Sequence, residues 1–148
     1  MKNNKYYRVY AEINLDAIVK NVDNLMALTK ENTGALAVVK ADGYGHGDVA
    51  VAKAVAQKVT GYAVATLDEA VNLRENGVKK PILVLGYVDP YEFDILVSHE
   101  ITATVFDVET AQLLADAARV QKKQAHCHIK VDTGMRRIGL EPDENGIA

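Results

Sequence analysis

A chain of 148 residues has room for one domain with a real core. Its 49% hydrophobic and 25% charged residues are ordinary for a globular protein, and a net charge of −3 gives no electrostatic case for nucleic acid or an anionic membrane as partner. One cysteine, Cys127, excludes an internal disulfide and fits a reducing compartment. No apolar run approaches the length of a membrane span, and the start Met1-Lys2-Asn3-Asn4 lacks the apolar core of a signal peptide, so a cytoplasmic location is expected.

In chain order, Tyr6 to Asn14 alternates and predicts a lead-in strand. From Leu15 the pattern changes to Ile18, Val22, Leu25 and Met26, one face of a helix that Asn14 or Asp16 can cap. Ala35 to Val39 predicts a buried parallel strand, running straight into Lys40 and a glycine-rich turn. A helix is expected from about Asp48 to Gln57, with Val51, Ala52 and Val55 on one side. Tyr62 to Ala65 opens the next unit, and Thr66 with Glu69 forms a Thr-x-x-Glu capping box. That helix stops at Asn76-Gly77. Pro81 to Gly86 is the third strand, and Asp89-Pro90 starts another helix. Ile101 to Phe106 is the fourth strand. Asp107 caps a helix carrying Ala111, Leu114, Ala115 and Ala118, and His126 to Val131 is the fifth strand.

Strand and helix alternate throughout, which implies right-handed crossovers and a parallel sheet. Each unit takes roughly 20 to 27 residues, the economy of a (β/α) barrel. A complete barrel of eight units needs about 200 residues at the least, so only five fit here. The barrel is expected not to close, and the run from Glu141 to Ala148 stops without a terminal helix, as a fragment would.

A lysine at the end of a buried strand loses water, and desolvation lowers its pKa. A neutral amine is what Schiff-base chemistry needs. Taken alone, Lys40 reads first as a barrel lysine whose amine snorkels to solvent. The neighbouring residues decide between the two. Val39-Lys40-Ala41-Asp42-Gly43-Tyr44-Gly45-His46-Gly47 resembles the signature of alanine racemases, pyridoxal-phosphate enzymes built on a TIM barrel. Lys130-Val131-Asp132-Thr133-Gly134-Met135-Arg136-Arg137-Ile138-Gly139 resembles that family's other barrel motif, and Ala11-Glu12-Ile13-Asn14-Leu15-Asp16 agrees near the start. Two motifs in the right order are far more specific than one.

The resemblance implies one incomplete barrel domain over residues 1–148, with the family's remaining barrel units and its C-terminal β-domain missing. It implies pyridoxal 5'-phosphate as cofactor, and the interconversion of L- and D-alanine for cell-wall precursors. Lys40 matches the lysine that holds the cofactor and exchanges the α-proton on one face. Val38, Tyr44 and Leu85 match cofactor contacts, Tyr44 through the phosphate. Arg137 matches the arginine near the substrate carboxylate and the cofactor's phenolic oxygen, which suits a guanidinium that stays charged and forms paired hydrogen bonds. Met135 matches a residue whose N–H meets the substrate carboxylate. Lys130 matches a lysine carried in many members as a carbamate, an anion beside the arginine where an ammonium would repel it. Arg136 departs from the family, where a small residue or histidine is common.

The family works as a homodimer on a small amino acid, and serine is the alternative substrate to alanine. The base on the second face comes from the absent domain, so this chain alone is expected to be inactive; a merely cofactor-binding fragment is the competing reading. His126 and His128 flank Cys127 on one strand face, yet no third and fourth ligands recur at metal spacing, so no metal is expected. The acidic residues at helix starts, Glu69, Asp89 and Asp107, read as caps.

Overall fold

The computed structural model describes residues 9–142. Asn14 starts the first helix: its side-chain oxygen accepts from the Ala17 N–H at 3.0 Å, and α1 runs from Leu15 to Met26. Ile18, Val19 and Val22 lean on the core, while an ion pair between Lys58 and Asp23 at 2.8 Å ties the outer side of the helix down. Over its described part, residues 9–14, the lead-in strand is not formed. Residues 9–14 have no strand partner, Val9 is 83% exposed, and the part of that stretch before Val9 lies outside the described residues, as does the chain from 143 onward.

Five strands follow: β1 (Leu36–Val38), β2 (Gly61–Val64), β3 (Ile82–Val84), β4 (Thr102–Val105) and β5 (His126–Ile129). They lie in sequence order, every neighbouring pair parallel, as one open sheet. This is the winding of a barrel wall that has not closed. Between the strands run α2 (Asp48–Ala54), α3 (Leu67–Glu75), a single 3₁₀ turn (Pro90–Glu92) leading into α4 (Phe93–Ser98), and α5 (Val108–Val120). The core sits between the sheet and these helices. Leu67, Ala70 and Leu73 of α3, Phe93, Leu96 and Val97 of α4, and Leu114 and Ala118 of α5 pack on Tyr62, Val64, Ile82, Val84 and Val105. At about 25 cal/mol per Å² of apolar surface, each fully buried leucine, isoleucine, valine or phenylalanine among them contributes roughly 1.5–3 kcal/mol.

The predicted caps are in place. Thr66 and Glu69 form the reciprocal box at α3, Asp107 accepts from the Thr110 N–H at 2.6 Å, and Asp89 accepts from the Tyr91 N–H at 3.0 Å with Pro90 just inside the 3₁₀ turn. Gly77 ends α3 with φ 89°, a backbone that suits only glycine without strain.

Three expectations are corrected. The strand before Lys40 is not buried: Leu36 and Val38 are exposed and only Val39 is enclosed, because β1 is the first strand of an unclosed sheet and one face has no cover. β5 is exposed along its whole length for the same reason at the other edge. Ala115 faces solvent on α5, where Ala117 packs instead, and α2 ends at Ala54, short of Gln57.

Candidate active site

Lys40 leaves β1 into an unusual piece of backbone. Ala41, Asp42, Gly43 and Tyr44 all lie in the left-handed region, with φ 52°, 53°, 61° and 56°. The Gly43 N–H returns to the Val39 carbonyl at 2.9 Å, so the segment makes one turn of left-handed helix. Left-handed backbone costs about 1–2 kcal/mol for each L-residue, and three of these four are not glycine. Local bonds offset the strain. The Gly47 N–H donates to the Asp42 carbonyl at 2.8 Å, the Asp48 N–H to Asp42 Oδ1 at 3.1 Å, and the Ala41 N–H to Glu69 Oε1 at 2.7 Å. His46 Nδ1 lies 3.0 Å from the Gly43 carbonyl and 3.1 Å from that of Tyr44; carbonyls only accept, so this nitrogen carries the proton. Gly43 is buried, and a Cβ there would stand 3.1 Å from the Asp48 nitrogen.

On the other side of the sheet's upper rim, the chain after β5 folds into a pinched loop. The Leu140 N–H donates to the Lys130 carbonyl and the Asp132 N–H to the Leu140 carbonyl, both at 2.8 Å. Gly139, with φ 145°, passes so close that a Cβ would sit 2.5 Å from the Asp132 nitrogen. The Asp132 carboxylate accepts from the Gly134 N–H at 2.8 Å and the Arg136 N–H at 3.0 Å. Those N–H groups, Arg136 first, hold the Asp132 carboxyl below the usual carboxylate range, so it is anionic at neutral pH.

The turn and the loop meet. Lys40, Arg137 and Ile138 line a pocket of ≈ 330 Å³ together with Ala65, Leu85, Gly86 and Tyr87. All its members come from just beyond the C-terminal ends of β1, β2 and β3 or from the loop after β5, the end of a barrel wall where catalytic groups collect. Gly86 is required there by contact: a Cβ would stand 2.5 Å from the Ala65 carbonyl oxygen. Burial raises the Tyr87 phenol above its usual pKa, and the Asp89 and Asp107 carboxylates push the same way, so it stays protonated and able to donate.

Of the residues singled out from sequence, the pocket brings together Lys40, Leu85 and Arg137. Lys130 is half-buried at its edge, its amine donating to the Leu85 carbonyl at 3.4 Å. Tyr44 is 58% exposed with its ring centroid 6.0 Å from Lys40 Nζ, outside the lining. Val38, 42% exposed on the open face, and Met135, 75% exposed, are also outside it. The Asp132 carboxylate is engaged in holding its own loop. Arg136 is exposed, and its N–H donates to the Asp132 carboxylate. Ala65, Gly86, Tyr87 and Ile138 were not assigned to the site from the sequence, although Ala65 lies just beyond β2 and Gly86-Tyr87 just beyond β3, and position beyond a strand end was the available signal for these three. A second cleft of ≈ 360 Å³ lies at the opposite end of the strands, lined by Arg74, Lys79, Glu100, His126 and His128 among others. Among the described residues no group of three or more His, Cys, Asp or Glu could hold a metal ion, and no helix is long and apolar enough to cross a membrane.

Comparison with known proteins bears on the family and the fold. The family model for the N-terminal domain of alanine racemase matches residues 13–147. An alanine racemase of Desulforamulus reducens is 45% identical over 141 residues, which is 95% of this chain and 38% of the relative. The solved alanine racemase of Clostridium difficile 630 in complex with cycloserine superposes with a TM-score of 0.91 at 42% identity, covering 95% of this chain and 40% of that one. The alanine racemase of Bacillus anthracis with bound L-Ala-P gives 0.83 at 37% identity, covering 92% of this chain and 35% of that one. The chain thus spans about two fifths of the length of the relatives it matches.

Proposed function

We propose, for a chain that belongs to the alanine racemase family, that it forms the cofactor-anchoring part of a pyridoxal-phosphate enzyme interconverting L- and D-alanine. The observation that carries this reading is the convergence of Lys40 and Arg137 on one pocket from beyond the two opposite edge strands of the sheet. The donor set suits the cofactor: an amine for its aldehyde, a guanidinium for its phenolic oxygen or a substrate carboxylate, and the apolar walls of Ala65, Leu85 and Ile138 for its ring. Pyridoxal phosphate, when bound, supplies the electron sink for the electrons left by the departing α-proton.

In this reading Lys40 Nζ holds the cofactor and moves the α-proton on one face, while Arg137 orients the carboxylate by paired hydrogen bonds. Tyr44, outside the pocket lining, would meet the cofactor phosphate through its hydroxyl, Val38 would contact the cofactor, and the Met135 N–H would meet the substrate carboxylate. Residues 1–148 make one incomplete barrel domain, to be completed by further barrel units and the second domain that give the relatives their greater length. A homodimer, a cytoplasmic location and the supply of D-alanine to cell-wall precursors go with that whole enzyme. The relatives solved with cycloserine and with L-Ala-P support a small amino acid as substrate.

The test is covalent trapping. The chain incubated with pyridoxal phosphate and reduced with borohydride should carry the label at Lys40, and Lys40→Ala should lose it at every concentration that labels the wild type. Label spread evenly over surface lysines, unchanged in Lys40→Ala, would overturn the reading.

Lys130 is proposed to carry a carbamate. Its amine lies beside the Leu85 carbonyl at the pocket edge, and Leu85 and Arg137 line the same pocket. A carbamate keeps one N–H for the carbonyl and presents an anion to the guanidinium. With ¹³C-bicarbonate present, a carbamate carbon resonance that disappears in Lys130→Ala is expected; identical spectra from both proteins would rule it out.

A further inference from the structure

Glu69 looks like a helix cap and does a second task. Between β1 and β2 the parallel ladder proceeds normally as far as the Val39 N–H, which donates to the Ala63 carbonyl at 2.9 Å. In a regular parallel ladder the next rung would join the Ala65 N–H to the Val39 carbonyl. That carbonyl is already engaged by the Gly43 N–H, the bond that closes the left-handed turn. Two donors are therefore left where the strands part, Ala65 N–H on one side and Ala41 N–H on the other. One carboxylate takes both: Glu69 Oε1 lies 2.7 Å from the Ala41 nitrogen and Oε2 2.7 Å from that of Ala65. Oε2 also completes the capping box at 3.4 Å from the Thr66 nitrogen.

We propose that Glu69 is a positioning residue for Lys40: its carboxylate replaces the missing rung and fixes the peptide between Lys40 and Ala41. The direction in which the Lys40 side chain leaves the strand is set at that peptide. The left-handed turn begins there, and a strained turn relaxes unless its first residue is anchored. Bonds to a carboxylate are the strong kind, roughly twice a neutral pair. The proposal rests on the reading of Lys40 as the cofactor-holding amine.

Two variants separate anchoring from capping. Gln is as good as Glu in a capping box, but Glu69→Gln replaces one acceptor oxygen by an NH₂ donor, so only one of the two strand N–H groups can be served. Thr66→Ala removes the reciprocal half of the box and leaves the Glu69 carboxylate on Ala41. Amide exchange of the 148-residue chain reads the difference: in Glu69→Gln, the Ala41 or Ala65 amide should exchange about 10-fold faster or more, and in Thr66→Ala both should stay within about 3-fold of wild type. The second readout is the rate of borohydride-trapped labelling of Lys40 by pyridoxal phosphate between pH 6 and 9. Glu69→Gln should slow it several-fold across that range, Glu69→Asp should fail to restore it because its shorter side chain cannot span both strands, and Thr66→Ala should match wild type. Unchanged exchange at both amides in Glu69→Gln overturns the anchor. Faster exchange with unchanged labelling overturns the positioning role. A wild-type chain that is not labelled at Lys40 overturns the cofactor reading beneath it, which is a different and separately visible failure.

Discussion

Replacing Gly139 by alanine is expected to open the loop that carries Arg137 while leaving the rest of the fold intact. The backbone at Gly139 has φ 145°, and a Cβ there would lie 2.5 Å from the Asp132 nitrogen, 2.8 Å from the Val131 carbonyl carbon and 3.0 Å from the Asp132 Cα. All three are main-chain atoms, so no side chain can swing aside. The only relief is to separate Gly139 from Asp132, which breaks the pair of 2.8 Å bonds joining Leu140 to Lys130 and Asp132. Strain and lost bonds together are worth about 3 kcal/mol, or roughly 100-fold in local opening. Amide exchange at Asp132 and Leu140 should rise by that factor, with the melting temperature nearly unchanged because the β2–β4 core is not touched. Gly134→Ala is the control: φ is 121° but nothing lies within 4 Å of the new Cβ, so it should strain the loop without opening it. If the two variants behave alike, the close approach at Gly139 is not what holds the loop. Since Arg137 and Ile138 reach the pocket only through this loop, Gly139→Ala should also weaken retention of pyridoxal phosphate at Lys40.

What could be read from the sequence follows the range of each interaction. The capping box was legible because Thr66 and Glu69 are near neighbours in one helix turn, and Asp107 and Asp89-Pro90 were legible for the same reason. Strand order was legible because alternation of strands and helices leaves few topologies. The exposure of β1 and β5 was not, since burial of a strand depends on neighbours that its own residues do not name. The glycines after Lys40 announced a tight turn. Its left hand was hidden, because Ala41, Asp42 and Tyr44 are residues that avoid that region unless distant bonds hold them there. One of those bonds is the reach of Glu69 to Ala41 across 28 positions of sequence, which no local pattern records. In the pocket, the charged members were found through family motifs, whereas Ala65, Gly86 and Ile138 are chemically bland and gain meaning only by standing beside Lys40 and Arg137.

The opposite rim of the sheet is held by Arg74, and its loss should have the largest effect on stability. From α3 its guanidinium donates to four carbonyls: His99 through Nε at 2.9 Å, Val78 and Lys80 through Nη1 at 2.6 and 3.1 Å, and Glu100 through Nη2 at 2.9 Å. One side chain thereby joins the end of α3, the approach to β3 and the turn before β4. Burial lowers its pKa and the nearby Glu100 carboxylate works against that, but an arginine so placed keeps its charge throughout the physiological range. Arg74→Met keeps much of the packing volume and removes every donor, stranding four acceptors in two segments; about 3 kcal/mol of stability should go, or roughly 10 °C in melting temperature. Arg74→Lys should recover part of this, because an ammonium is charged but cannot fork among four carbonyls. A melting temperature within about 2 °C of wild type in Arg74→Met would show that solvent satisfies those carbonyls equally well. Arg74 lines the cleft at the start of the strands, whereas Lys40 and Arg137 stand beyond their C-terminal ends. Below its melting temperature Arg74→Met should therefore take the pyridoxal phosphate label at Lys40 as fast as wild type, with stability and site chemistry separating along the strand axis.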